Sequence, residues 1–93
     1  MISFEWDIKK AESNERKHGI TFDEASTVFA DPLSLTIHDP LHSEDEERLV
    51  IVGGSHKNRM LTVVHAERGD NIRIISARKA TKNERSYYES NAE

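Results

Sequence analysis

The clearest pattern of apolar and polar positions in this chain lies between residues 61 and 78. Residues 61–67 and 72–78 are both rich in β-branched side chains, and a cluster of turn-forming residues separates them. Two such runs around a turn are typical of an antiparallel β-hairpin. Thr81 and Glu84 then form the S/T-x-x-E pattern that begins a helix. We therefore predict strand, turn, strand and helix over residues 61–89.

Successive residues of a strand point to opposite faces, so the pattern also predicts which side chains share a surface. Strict alternation places His65 and Glu67 on one face of the first strand. On the second strand it places Arg73 and Arg78 on opposite faces. Because both faces also carry apolar residues, we predict a central, largely covered hairpin. We expect five polar side chains to gather along one edge of a groove, namely His65, Glu67, Arg73, Arg78 and Lys79.

The preceding residues predict two helices and further strands. Asp7 is a typical N-cap for a helix over residues 8–18, and a glycine suited to ending it follows. Thr21 and Glu24 repeat the capping pattern and open a helix to about Ala30, whose apolar residues share one face. Strands are predicted at residues 3–6, 33–37 and 48–52. This order indicates an α+β domain with a mainly antiparallel, four-stranded sheet, two N-terminal helices and a C-terminal helix.

Composition narrows the class of protein. Ninety-three residues with two prolines and no evident linker fit one small domain spanning residues 1–93, and 32% charged residues favour a shallow surface site. The absence of cysteine excludes disulfides and thiolate chemistry. No signal peptide opens the chain, and its apolar runs are far shorter than the roughly 18 residues that a membrane span needs. We expect a soluble, cytoplasmic protein that does not contact the membrane.

The net charge of −4 hides an uneven distribution. Residues 1–70 hold 8 basic and 14 acidic side chains, a net charge of −6, whereas residues 71–93 hold 5 basic and 3 acidic, a net charge of +2. A basic segment on an acidic body is suited to a short stretch of phosphate backbone. A solvated helix face with ordinary ion pairs accounts for the same charges equally well.

Residues 38–47, HDPLHSEDEE, contain ligand types that suit a divalent ion. They include His38, Asp39, His42, Glu44 and Asp45. However, the segment lacks the fixed spacing of a known metal motif, and an acidic loop explains its composition without an ion. We therefore predict no metal site and no cofactor, and keep a metal-dependent hydrolase only as a minor alternative.

Seven short motifs follow one another along nearly the whole chain. They are FEWD, KHG, EASTVFADP, EER, VVHAERGD, IRIISARKAT and ERxxYE. Together they resemble the BrnT family of toxins of type II toxin-antitoxin systems. The resemblance implies a RelE-like fold and a ribonuclease that cleaves RNA and arrests growth. It also implies a BrnA-like antitoxin that blocks the toxin and binds operator DNA through a domain of its own.

The resemblance carries over residue by residue. His65, Glu67 and Arg68 match the family's H-x-E-R element; Arg73, Ser76, Arg78 and Lys79 match its I-R-I-I-S-A-R-K element; and Trp6 matches its N-terminal tryptophan. The resemblance leaves open which of these residues are catalytic and which are structural.

RNA can be cut without a metal when its own 2′-hydroxyl attacks the adjacent phosphorus, which requires a base, an acid and cations. Glu67 or His65 would accept the proton, and Arg73 and Arg78 would hold the phosphate oxygens with forked guanidinium donors. Candidate RNA-binding residues are Trp6, Lys57, Arg59, Arg68, Lys79 and Arg85. Each has a structural alternative, such as a cross-strand ion pair or a packing role. A noncatalytic protein- or RNA-binding module therefore remains the main alternative.

Overall fold

The structure is a computed structural model that describes residues 2–38 and 48–91. The strands are β1 (Ser3–Glu5), β2 (Leu35–His38), β3 (Arg48–Gly54), β4 (Met60–Arg68) and β5 (Asn71–Lys79). The helices are α1 (Ile8–His18), α2 (Phe22–Thr27) and α3 (Lys82–Asn91), and a 3₁₀ helix, Val28–Ala30, directly follows α2. The second predicted helix is thus α-helical only to Thr27 and tightens over its last three residues. In the described part of the chain, no helix is both long and apolar enough to span a membrane.

The sheet has five strands in the order β1-β5-β4-β3-β2 and is mixed. Neighbouring strands are antiparallel except for β1, which pairs in parallel with residues 71–73 at the start of β5. The predicted four-stranded sheet was therefore wrong in its number of strands. The sequence predicted a strand at residues 3–6, but three residues are too few to carry a pairing signal, so its parallel pairing with β5 could not be predicted.

A β-bulge in β5 changes which side chains share a face. Val64 pairs with Ser76, but His65 pairs with Ile74, so Ile75 has no partner on β4. The extra residue reverses the alternation beyond it. Arg73 and Arg78 consequently lie on the same face of the sheet, and the strict alternation predicted from the sequence was wrong here.

The hydrophobic core lies on one face of the sheet, the core face. Leu61, Val63, Ile74 and Ala77 are buried there. They pack against Ile20, which follows α1, against Phe22 and Ala25 of α2, and against Val28 of the 3₁₀ helix. Each large side chain buried in this way stabilises the fold by roughly 1.5–3 kcal/mol. Gly53 allows the close approach of the 3₁₀ helix, because a Cβ there would come within 3.0 Å of Val28 Cγ1.

α1 is held by hydrogen bonds more than by apolar contacts. Asp7 caps its start, accepting from the backbone N of Lys9 at 2.8 Å, and Gly19 ends it in the left-handed conformation at φ 70°. The buried side chain of Asn14 donates to the Ala77 carbonyl at 2.8 Å and accepts from the Ala77 N–H at 3.0 Å. α1 therefore lies along the edge of β5, beyond the short pairing with β1.

The opposite face of the sheet, which we call the open face, carries the side chains of Val50, Thr62, Val64, Ala66 and their neighbours in register. α3 covers only one end of it. There Tyr88 donates from its hydroxyl to Asp31 Oδ2 at 2.8 Å, and Thr62 donates to Glu84 Oε1 at 2.9 Å. Val64 and Val50 remain partly exposed.

Candidate active site

Four arginines are placed on the open face by the strand register. They are Arg48 on β3, Arg68 on β4, and Arg73 and Arg78 on β5. Arg48 and Arg73 both pair with Ala66, so these three residues form one row across three strands. Ala66, between them in register, has a small side chain. The register therefore places two cationic side chains of a type suited to phosphate oxygens in neighbouring positions of one row.

Sequence reasoning missed Arg48 as a member of this surface. It begins β3 directly after the acidic segment, and its side chain faces the same way as Val50 and Val52. That alternation was visible in the sequence. Its pairing with Ala66, and thus its position beside Arg73, depends on a strand register that the sequence does not reveal.

Arg78 lies at the other end of the open face and is engaged by Glu84. Its Nη1 donates to Glu84 Oε1 at 2.8 Å and its Nη2 to Glu84 Oε2 at 2.9 Å. Glu84 also accepts from the Thr81 backbone N at 2.8 Å, which completes the predicted capping box. The hydrogen bonds between Arg78 and Glu84 lower the pKa of Glu84 from 4.5 to about 2. The same hydrogen bonds raise the pKa of Arg78. The Arg78 fork is therefore occupied within the protein itself.

His65 and Glu67 lie on the core face, opposite the arginines. His65 is fully buried, and its ring packs edge-on against Phe29 with the ring centroids 4.8 Å apart. Burial lowers the pKa of His65, so the imidazole is neutral at pH 7. Its Nε2 lies 3.2 Å from Glu67 Oε2, and its Nδ1 has no hydrogen-bond partner among the residues that the structure describes.

This geometry gives the two residues different capabilities. With its proton on Nε2, a neutral His65 donates to the Glu67 carboxylate and fixes its orientation. Since His65 has no exposed surface, it does not reach a bound RNA. Glu67 has 49% of its side chain exposed at the end of β4 and is accessible to a substrate.

The predicted gathering of catalytic side chains is thus divided between two faces. Glu67 and Arg68 are successive residues at the hairpin end and point to opposite sides, and Arg73 lies on the same side as Arg68. Arg78 pairs with Thr62, four residues from the Ala66 that pairs with Arg73. At the rise of a strand this separation is about 13 Å. The hairpin end therefore carries three of the predicted site residues, Glu67, Arg68 and Arg73, on two faces of the sheet.

Arg59 and Lys57 belong to a separate part of the structure, the loop between β3 and β4. Arg59 donates from Nε to Glu24 Oε2 at 2.9 Å and from Nη2 to Glu24 Oε1. Ser55 donates to the same carboxylate at 2.7 Å. Glu24 is 1% exposed, and its hydrogen bond with Arg59 lowers its pKa. Arg59 thereby balances a buried charge, whereas Lys57 is exposed.

The remaining candidates lie apart from the arginine row. Trp6 is partly buried and packs edge-on against Phe22, with the ring centroids 5.9 Å apart. Lys79 is exposed at the end of β5, where it pairs with Leu61 of the core face. Arg85 is exposed on α3. The structure therefore places Trp6 beside the core, away from the open face.

Most of the acidic segment considered for a metal, residues 39–47, lies outside the described residues. Its first residue, His38, ends β2 with an exposed side chain. Within residues 2–38 and 48–91, no group of three His, Asp or Glu side chains is arranged to hold a metal ion.

Comparisons with known proteins bear on both fold and family. A family model described as ribonuclease toxin, BrnT, of type II toxin-antitoxin system matches residues 6–84. Among solved structures, the chain is similar to the ribonuclease toxin BrnT of Brucella abortus, with 21% sequence identity and a TM-score of 0.64. That match covers 88% of this chain and 100% of the other, and it supports the α+β fold. A search of curated proteins gave no match.

Proposed function

The chain belongs to the BrnT family of ribonuclease toxins of type II toxin-antitoxin systems, and from this premise we propose that it cleaves RNA without a metal ion. The observation that carries the proposal is the row of Arg48, Ala66 and Arg73 on the open face. Guanidinium groups bind phosphate oxygens in pairs and stabilise the additional negative charge of the transition state. The row is the phosphate-binding part of the site.

The base is Glu67, and the scissile phosphate lies at the hairpin end. There the exposed Glu67 carboxylate is next in sequence to Arg68, and its other neighbour in the strand, Ala66, pairs with Arg73. Glu67 accepts the proton of the 2′-hydroxyl as it attacks the phosphorus, and the arginines hold the nonbridging oxygens. The 5′-oxygen of the next nucleotide leaves and takes up a proton from water, so the products carry a 2′,3′-cyclic phosphate and a 5′-hydroxyl. His65 is a positioning residue that orients Glu67.

Product analysis tests this mechanism directly. We expect wild-type protein to cleave single-stranded RNA in excess chelator and to leave the two end groups named above. Glu67→Gln should lower kcat by roughly 10²–10⁴-fold, since it removes the base while preserving shape. Arg73→Lys should lower kcat/KM by about tenfold or more, because an ammonium does not replace a forked donor. Lys82→Ala, a change of an exposed cation on α3, is the matched control and should have little effect.

Two outcomes would contradict the mechanism. Cleavage that stops in chelator, or products that end in a 3′-hydroxyl, would indicate metal-dependent hydrolysis. RNA binding with no cleavage by the wild-type protein would instead favour the noncatalytic binding module. A His65→Gln variant refines the assignment, because a positioning residue should alter the pH profile of kcat rather than abolish cleavage.

The partner of the toxin is a BrnA-like antitoxin that binds the open face. The antitoxin binds operator DNA through a domain of its own, so the toxin contacts DNA only indirectly. Beside the arginine row, Ile37, Val50 and Val64 form an apolar row in register across three strands, and Ile37 is 45% exposed. A segment with apolar and acidic side chains would cover both rows and exclude RNA. Hydrogen exchange should show protection within residues 72–90 in the complex. Protection confined to residues 8–30 with inhibition intact would refute this mode of binding.

A further inference from the structure

A second basic surface lies between α1 and β5. It is a groove of about 190 Å³ lined by Lys10, Asn14, Lys17 and His18 of the helix and by Ile75 and Ser76 of the strand. The strand contributes the bulge, where Ile75 has no partner on β4. Ser76 pairs with Val64, so it belongs to the open face together with Arg73 and Arg78. The groove therefore opens onto the arginine-bearing surface.

Charge is segregated around α1. Lys10 and Lys17 are seven residues apart, which places them on one side of the helix, two turns from each other. Glu12 and Glu15 line a different cavity with Trp6. Within the described residues, neither lysine forms a salt bridge. The groove between α1 and β5 is consequently lined by two lysines and no carboxylate, although the N-cap Asp7 lies close to Lys10 and the whole chain carries a net charge of −4.

Asn14 fixes the position of these lysines relative to the strand. It lies between them in sequence and makes hydrogen bonds with both backbone groups of Ala77, and its side chain also donates to the Ile20 carbonyl at 3.0 Å. The backbone that carries both lysines is thus fixed to β5. The ammonium groups lie on flexible side chains, so they supply positive charge at this place and not a fixed geometry.

We propose that the α1–β5 groove binds backbone phosphates of the RNA substrate that flank the scissile bond, with Lys10, Lys17 and His18 as the contacting side chains. The proposal rests on the ribonuclease function proposed above and extends its substrate site. RNA held at the arginine row passes over Ser76 into the groove. These contacts are electrostatic and independent of base identity, so they contribute to affinity and not to sequence preference.

The chain provides a matched control for testing this site. Lys9 and Arg16 are also cations of α1 seven residues apart, but neither lines the groove. The test compares Lys10→Ala, Lys17→Ala with Lys9→Ala, Arg16→Ala on an unstructured RNA oligonucleotide. We expect the groove double variant to raise KM by about tenfold with kcat unchanged, because the contacts are formed before and during the reaction alike. The control double variant should keep the wild-type KM.

Salt dependence gives a second readout that a loss of folding would not imitate. Each phosphate contact to single-stranded RNA adds about −0.7 to the slope of log K against log salt, so removing two contacts should reduce the slope by about 1.4. Lys10→Arg, Lys17→Arg should retain both the KM and the slope. Equal effects of the two alanine double variants would contradict RNA binding in the groove. They would indicate only a general electrostatic attraction between RNA and the positive charges of α1. If the groove double variant binds RNA as the wild-type protein does but is inhibited less by the antitoxin, the groove binds the antitoxin and not RNA, and the proposal is contradicted.

The same measurements separate this proposal from the proposed function. Wild-type protein that cleaves RNA, together with a groove variant of unchanged KM, would refute the groove alone. Wild-type protein that neither binds nor cleaves RNA would refute the ribonuclease function, and the groove with it.

Discussion

Two glutamates in this protein each bind an arginine with both carboxylate oxygens, yet the two pairs differ in their surroundings. Glu24 is 1% exposed, and its partner Arg59 is 32% exposed. Glu84 is 26% exposed, and its partner Arg78 is 41% exposed. The first pair joins α2 to the loop between β3 and β4, and the second joins α3 to the open face.

The difference shows that the same chemical pair can hold the fold in one place and remain accessible to a ligand in another. Removing a partner from a buried pair leaves an uncompensated charge, whereas removing one from an exposed pair leaves groups that water can solvate. Arg59 therefore has a structural role. Arg78 is 41% exposed at the border of the arginine-bearing face, so its site is accessible from solvent.

The largest expected contrast is in stability. Glu24→Ala should lower the free energy of unfolding by about 3 kcal/mol, because it removes a buried acceptor of Arg59 and Ser55. Glu84→Ala should lower it by about 1 kcal/mol, the usual value of a helix cap and an exposed pair. Urea unfolding measures both. Equal losses would show that exposure does not distinguish the two pairs.

Acid stability sharpens the comparison. The pKa of Glu84 is lowered to about 2 in the folded protein, so the unfolded chain binds its proton first as the pH falls. The stability that Glu84 contributes is fully present above pH 4.5 and is lost as the pH falls towards 2. In the Glu84→Gln variant the loss of stability over this range should therefore be smaller than in the wild-type protein by about 1 kcal/mol, allowing for partial exposure. Urea unfolding at a series of pH values measures this difference. If the variant and the wild-type protein lose stability equally below pH 4.5, the lowered pKa is contradicted.

The smallest expected contrast is in catalysis. Arg78→Lys should lower kcat/KM for RNA by about tenfold, since lysine lacks the forked donor that phosphate would share. Arg59→Lys should lower the melting temperature while leaving kcat/KM per folded molecule unchanged. Assays at a temperature where both variants are folded, as monitored by circular dichroism, separate the effects. If Arg59→Lys is the more damaging change for cleavage, the functional assignment of the two arginines is reversed.

Local sequence signals predicted the elements that depend on near neighbours. Both predicted N-caps formed, with Thr21 accepting from the Glu24 N–H and Thr81 from the Glu84 N–H. Only the second capping box is complete, because the Glu24 carboxylate binds Arg59 and Ser55 instead. The hairpin also lies where its β-branched runs and turn residues indicated. These features are encoded within a few residues, so a single sequence is sufficient to recognise them.

The shape of the candidate site depends on long-range pairing and could not be predicted in the same way. The bulge at Ile75 lies in an uninterrupted run of good strand residues, with no glycine to mark it, yet it moves Arg73 to the face of Arg78. Likewise, Arg48 acquires its place beside Arg73 only through Ala66 on the intervening strand. Arg59 appeared to be a loop cation until its buried partner, 35 residues earlier, was located.

The attachment of α1 through Asn14 also determines when the toxin can first become complete during its synthesis. The partner of Asn14 on β5, Ala77, is 63 residues later in the chain. A ribosome that adds roughly 5–20 residues per second needs roughly 3–13 s to reach it. Throughout that interval α1 has no strand edge to bind. β1 also lacks its partner, because it pairs with β5 as well. The row of Arg48, Ala66 and Arg73 is therefore also incomplete until β5 has been synthesised.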